Sequence, residues 1–227
     1  MKKFLSRSRS KCRGGGTGIL SRVSTSARLR ALELENQRLR RLVVTDDLTG
    51  AYNRRYFSDM IRAALKKRPR EGAVALCLLD VDDFKAVNDR HGHRAGDEVL
   101  RRLSRVLRRE GDALCRLGGD EFAAVMIVNS KSSAKAHASR LLEAVRTIEP
   151  MLTAAGPLRI TVTAGVAWVG PDTDANWKQM FEDADKALYR AKQAGKNCVV
   201  VLAGEEEPVL ADENNVPVTE RDVFVVE

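Results

Sequence analysis

ALCRLGGDEFAAVMIV, residues 113–128, decides the fold. Its two apolar runs, Ala113–Leu117 and Phe122–Val128, read as strands joined by the tight turn GGDE, and consecutive strands around such a turn pair antiparallel. A chain built on that hairpin is a mixed α/β sandwich and not a doubly wound parallel sheet. The turn also poses a chemical question. Gly118 and Gly119 reduce the surface to backbone directly before two carboxylates, Asp120 and Glu121. A Gly-Gly-Asp turn is an ordinary way to close a hairpin, so the neighbouring sequence has to say whether the acids do chemistry.

Outward from the hairpin, strand-like and helix-like segments alternate. Asn53–Arg68, Arg94–Arg109, Ser130–Ile148 and Trp177–Ala194 read as helices. GAVALCLLDV (72–81) reads as a buried strand ending in acids, Leu158–Val169 as a long strand, and Cys198–Leu202 as a closing strand. Before this domain, Leu29, Leu32, Asn36, Leu39 and Val43 recur at spacings of 3 and 4, the seam of a short coiled coil with Asn36 at an a position. An amphipathic helix lying on its own domain is the alternative. The expected division is a basic flexible arm (1–26), a coiled-coil helix (27–44), a catalytic domain (45–203) and an acidic tail (204–227), whose VFVVE can add an edge strand.

The formal charge of +8 is uneven: residues 1–42 hold twelve Lys/Arg against two Glu, whereas residues 204–227 hold eight acids against one Arg. The high pI therefore reflects the N-terminal arm, and no specific nucleic-acid binding is expected. As a solvated tail the arm needs no partner; weak attraction to anionic lipid or nucleic acid is its other reading. Cys12, Cys77, Cys115 and Cys198 are far apart and suggest neither zinc nor a disulfide framework. No run approaches the roughly 18 apolar residues of a membrane span, and MKKFL is followed by SRSRSKCR, so a cytoplasmic protein is expected.

Two segments gather acids at strand ends, LLDVDDFKAVND (78–89) and RLGGDEF (116–122). Asp80 beside Asp120 and Glu121 would offer the hard oxygen ligands that Mg²⁺ takes while sharing its other positions with substrate phosphates. Glycines at the tip then let backbone lie against a nucleotide. Asp97 and Asn88 suit a guanine edge, the carboxylate accepting from N1–H and the exocyclic amine and the amide meeting O6 or N7. Lys192 and Lys196, four apart, share a helical face suited to phosphates.

With these residues assembled, the chain resembles the GGDEF-domain family of diguanylate cyclases. The resemblance runs through DDLTGAYNRRYF (46–57), DVDDFKAVNDRHGHRAGD (80–97), RLGGDEF and DKALYRAKQAGKN (185–197), four motifs in the family's order. It implies an α/β (α+β), palm-like fold, a central and mostly antiparallel sheet flanked by helices, as in class III nucleotide cyclases and polymerase palms. It also implies condensation of two GTP into cyclic di-GMP by a homodimer, here paired through residues 29–43, with Mg²⁺ or Mn²⁺. Carried over residue by residue, Asp80, the Val81 carbonyl and Asp120 are the metal ligands, with Glu121 for a second ion, and Asp120 is the candidate base. Asn88 and Asp97 match the guanine site, and Lys85, Lys192 and Lys196 the phosphate contacts; the family often has Arg where Lys196 stands. REGD (109–112) matches an R-x-x-D inhibitory product site, with Arg109, Asp112 and Arg140. His91 and His93 are read as turn residues. The alternative is a silent relative that senses cyclic di-GMP or GTP; retention of Asp80, Gly118, Gly119, Asp120 and Glu121 together favours the enzyme.

Overall fold

The computed structural model describes residues 44–70, 72–110, 113–171, 173, 176–202 and 223–226, together with residues 27, 28, 30, 32 and 35, which are helical. The chain divides into two compact units, Met1–Val43 and Val44–Glu227. The arm 1–26, Asp112, the tail residues 204–222 and the seam positions Leu29, Asn36, Leu39 and Val43 lie outside the described residues.

The second unit is organised by strand β2 (Ala73–Val81), whose residues are buried from Ala73 through Leu79 and again at Val81. A strand so continuously apolar must be covered on both faces. On one side it pairs antiparallel with β4 (Glu121–Val128), on the other with β7 (Val162–Val169). β3 (Ala113–Gly118) continues the antiparallel pairing on β4, and the edges turn parallel: β1 (Tyr52–Asn53) on β3, and β8 (Val199–Leu202) then β9 (Val223–Val226) beyond β7. The sheet order is β1-β3-β4-β2-β7-β8-β9. The hairpin strands are thus antiparallel as their turn requires, and VFVV supplies an edge strand.

Period-2 alternation along β2 sends Ala75, Cys77 and Leu79 into one core and Val74, Leu76 and Leu78 into the other. The first core is closed by α3 (His93–Leu107) and α4 (Lys131–Arg146) through Val99, Leu103, Ala138 and Leu141. The second is closed by α1 (Arg54–Lys66) and α5 (Trp177–Gln193) through Phe57, Ile61, Met180 and Ala184. Three of the four starts have a side-chain cap: Asn53 caps α1 by accepting from the Tyr56 N–H, Ser130 and Ser133 form a reciprocal cap on α4, and Asn176 caps α5. Closest packing occurs where α5 crosses β7. An ideal Cβ on Gly165 would fall inside the Leu188 N–H and Ala184 carbonyl, and 2.6 Å from Leu188 Cα.

Three local features depart from the sequence reading. The segment following β2 is itself a helix, α2 (Phe84–His91), which the acid-rich pattern concealed. The expected strand Leu158–Val169 is divided: Gly156–Leu158 forms β6, pairing with β5 (Met151–Thr153) in a separate hairpin, and β7 begins only at Val162. Its ladder on β2 ends at Val81↔Val162, and Thr161 instead turns its carbonyl to the Asp82 N–H at 3.0 Å. The helix expected to end at Arg109 stops at Leu107, and Arg108–Glu110 tighten into a 3₁₀ turn.

Replacing Gly165 by Ala is expected to destabilise the domain by roughly 1–3 kcal/mol, because the obstacle is helix backbone and not a side chain free to move. Urea unfolding of the two proteins measures this, and an unchanged midpoint would show that α5 can shift off the sheet at no cost.

Candidate active site

The β3–β4 hairpin carries its tip alongside the end of β2. Leu79 pairs with Phe122 and Asp80 with Glu121, and the Val81 N–H donates to the Asp120 carbonyl at 3.3 Å. Gly118 and Gly119 sit at φ of +155° and +51°, and a Cβ at either position would meet nothing within 4 Å. The tip is therefore bare backbone open to a ligand. It is also anchored, because Arg116 donates from Nε and Nη2 to the Gly119 carbonyl at 3.0 and 2.7 Å. From Nη1 the same guanidinium meets both carboxylate oxygens of Asp46, at 3.1 and 3.2 Å. Asp46 further accepts from the Thr49 N–H and hydroxyl at 2.9 and 2.7 Å. Burial works against its charge, but the two Thr49 bonds and Arg116 outweigh that and hold the carboxyl below its usual 3.8.

Across β2, the end of α5 meets the acids. Lys192 Nζ lies 2.8 Å from Asp80 Oδ2, with side-chain exposures of 37% and 15%. Burial pushes the Asp80 carboxyl above its usual range; the Lys192 ammonium offsets this in part, and the nearby Asp120 and Asp82 charges add to it. Lys196 Nζ pairs with Asp83 at 2.7 Å on the exposed rim, and that hydrogen bond raises the ammonium pKa. Asp82 is a joint and not a free ligand. Its carboxylate accepts from the Thr161 and Thr163 hydroxyls at 2.7 and 2.5 Å and from the Asn197 N–H at 3.2 Å. Asp83, Lys196 and Asn197 all have positive φ, so the two turns that meet here are locally strained where the site is built. Arg146 secures the second turn, donating to the Asn197 side-chain and backbone oxygens at 3.1 and 2.7 Å.

The α2–α3 corner holds Asn88 and Asp97, both half-buried. A Cβ on Gly96 would strike Asn88 Oδ1 and lie 3.2 Å from Phe84 Cζ, so only glycine lets the Asn88 amide lie against the backbone that precedes Asp97. Neither side chain has a hydrogen-bond partner among the described residues, and both are available to a ligand. Lys85 is exposed on α2. His91 Nδ1 meets Thr153 Oγ1 at 2.7 Å and ties this corner to the β5–β6 hairpin, while His93 is exposed.

Asp80, the Val81 carbonyl, Asp120 and Glu121 supply only hard oxygen donors, which fits Mg²⁺ or Mn²⁺. Among the described residues, however, no three His, Cys, Asp or Glu side chains close into a metal-holding group. Lys192 occupies part of the Asp80 carboxylate instead. Beside Glu121, a groove of about 410 Å³ runs along α5 past Asp185, Tyr189 and Lys192. A separate cleft of about 470 Å³ is lined by Arg109 with Arg101, Arg105 and Arg108, opposite Leu48–Gly50. Arg140 does not line it and contacts the His137 ring at 2.9 Å.

Sequence reasoning passed over the Arg116–Asp46 anchor, the Asp82 joint with Thr161 and Thr163, and Gly96. Arg116 and Asp82 stand inside the quoted motifs, yet their partners are 70 and about 80 residues away in the chain.

A family model described as diguanylate cyclase, GGDEF domain, matches residues 43–198. The probable diguanylate cyclase DgcC of Escherichia coli K12 is 37% identical over 171 residues, 74% of this chain and 45% of its own. Diguanylate cyclase DgcP of Pseudomonas aeruginosa is 38% identical over 169 residues, 72% of this chain and 24% of its own. The chain thus spans less than half the length of these curated relatives. The solved coiled coil and GGDEF domain of DgcB from Caulobacter crescentus, in complex with c-di-GMP, aligns with a TM-score of 0.70 at 28% identity, covering 82% of this chain and all of that one. No described helix is long and apolar enough to cross a membrane.

The Asp46 anchor makes a pH-dependent contribution. A depressed carboxylate pKa stabilises the fold above 3.8, the ordinary value, and that stability is lost as pH falls through the lower folded value. Asp46→Asn is expected to cost on the order of 1 kcal/mol at pH 7 after solvent screening, and progressively less below pH of about 4. Urea unfolding of both proteins at pH 7 and pH 3 measures the difference, and a gap equal at both pH values would contradict it.

Proposed function

The chain belongs to the GGDEF domain family, and from that premise we propose that it is a diguanylate cyclase, converting two GTP into cyclic di-GMP and two pyrophosphates. One observation carries the reading. The bare Gly118–Gly119 tip is held beside the end of β2, with the Asp120 charge near enough to Asp80 to raise its pKa. An acidic cleft next to exposed backbone suits a metal-bound triphosphate. The free Asn88 and Asp97 groups suit guanine: an acceptor at Asp97 would face the unprotonated N1 of adenine without a donor, a costly mismatch.

In this reading each 3′-oxygen forms a bond to the α-phosphorus of the other GTP while the bond from that phosphorus to the β-phosphate bridging oxygen breaks, releasing pyrophosphate. The proton leaving each 3′-hydroxyl goes to Asp120. Mg²⁺ or Mn²⁺, held by Asp80, the Val81 carbonyl, Asp120 and Glu121, would lower the hydroxyl pKa and neutralise phosphate charge. Lys85, Lys192 and Lys196 supply positive charge to the phosphates, and Arg116 keeps the Gly119 carbonyl from swinging into their path. Because each domain holds one GTP, turnover requires two chains, paired through residues 29–43. The arginine-lined cleft at Arg109 supports a site for product, which with Asp112 restrains the domains.

Purified full-length protein incubated with GTP and Mg²⁺ at graded enzyme concentrations is expected to yield cyclic di-GMP, identified by mass, at a rate rising faster than linearly with enzyme. GTP left unchanged after bound product is stripped, even at high enzyme concentration, would overturn the reading in favour of a nucleotide sensor. In the same assay, charged residues in place of Leu32 and Leu39 are expected to lower activity most at low protein concentration; equal loss throughout would contradict pairing by that seam. Arg109→Ala is expected to raise the cyclic di-GMP concentration needed for half-inhibition about tenfold or more, equivalent to about 1.4 kcal/mol of lost binding. Unchanged inhibition would remove Arg109 from the product site.

A further inference from the structure

Two of the three lysines assigned to phosphate are engaged within the chain, by acids three residues apart in sequence. Lys192 holds Asp80 at 2.8 Å and Lys196 holds Asp83 at 2.7 Å. The inner pair is the consequential one. Asp80 is largely buried, and the charges of Asp120 and Asp82 both act on it. Three carboxylates so placed need a cation nearby; Lys192 makes the direct contact with Asp80, while Lys196 acts from its pair with Asp83.

The ammonium can also leave without disturbing the fold. α5 is fixed on β7 at Gly165, and the turn after it is clasped by Asp82 and Arg146, so the backbone under Lys192 stays in place. Only the four-carbon stem need move, and it ends as a compact, rotatable point charge. An ammonium and a dication held on one carboxylate repel each other at a few ångströms, so a metal on Asp80 weakens the hold on Lys192. A lysine released from Asp80 in turn needs a new anion, which a triphosphate supplies.

We propose that Lys192 is a resident counter-cation of Asp80, released only when metal and triphosphate arrive together, so that the two bind with positive coupling. This rests on the cyclase reading above and adds to it a role for Lys192 in the nucleotide-free state. The coupling is reciprocal: nucleotide tightens metal by the factor by which metal tightens nucleotide. The same contact keeps the nucleotide-free protein from capturing metal, since Lys192 competes for the ligand. A merely structural ion pair would predict the opposite for its removal, a looser metal site.

The test is Mn²⁺ binding to the full-length chain, followed by electron paramagnetic resonance of the free ion, with and without 3′-deoxy-GTP, which has no hydroxyl to react, the Mn²⁺ chelated by the nucleotide alone being subtracted from a protein-free titration. Lys192→Met is expected to bind Mn²⁺ alone on the order of three- to tenfold more tightly than wild type, the scale of a partly screened ion pair. In wild type 3′-deoxy-GTP should tighten Mn²⁺ at least about tenfold, and in the variant that enhancement should shrink at least about threefold. Lys192→Gln provides the same readouts if the methionine variant does not fold. Lys186→Gln removes a charge from the same helix, one paired with Asp183 at 3.2 Å, and should leave Mn²⁺ binding unchanged. Mn²⁺ affinity unchanged or weakened in the Lys192 variants, or tightened equally by Lys186→Gln, would overturn the proposal. So would wild-type binding of Mn²⁺ that is indifferent to 3′-deoxy-GTP. Wild type that binds neither probe would overturn the cyclase reading and this coupling with it.

Discussion

One carboxylate holds the parts of this domain in register. Asp82 follows the buried run of β2, and by accepting from Thr161, Thr163 and the Asn197 N–H it ties three segments of chain together. Burying its charge is affordable because three donors meet it. The acids on either side each meet a lysine, Asp80 largely buried with Lys192 and Asp83 exposed with Lys196. Positive φ at Asp83, Lys196 and Asn197 marks the strain that this junction tolerates. The joint thus adds to the packing of α5 on Gly165 and the Arg146 clasp in fixing the lysines relative to the acids.

The features legible in the sequence were those with a local cause. The hairpin was readable because glycine and acid follow one another in a turn between two apolar runs, and four helices stood out as helix-like segments alternating with the strands. Helix α2 was hidden because its sequence, FKAVNDRH, buries no residue fully and so lacks the apolar stripe that betrays a helix. The break before β7 was hidden because Arg159–Thr161 have strand-like residue types; tertiary hydrogen bonds to Asp82 decide their path. In the same way the motif acids could be assigned by resemblance, but the difference between Asp80, paired with a lysine, and Asp82, locked by threonines, exists only once distant strands are assembled.

The site is therefore not a cluster of similar acids. The charge of Asp80 is opposed by burial and by its acidic neighbours and offset by Lys192, Asp82 is met by three donors, and Asp83 sits on the rim in an exposed pair of little energetic weight. The glycines show a comparable division: Gly118 and Gly119 clear space for something outside the chain, whereas Gly96 and Gly165 clear space for the chain itself.

The Arg116 guanidinium has a mechanical consequence. It grips the Gly119 carbonyl with one side of its fork and Asp46 with the other, so the hairpin tip and the first turn of the domain share a single rigid plate. Thr45 and Asp46 come directly after the point where the two compact units of the chain meet. A displacement of the Asp46 turn is therefore carried to the Gly119 carbonyl by hydrogen bonds to one planar side chain.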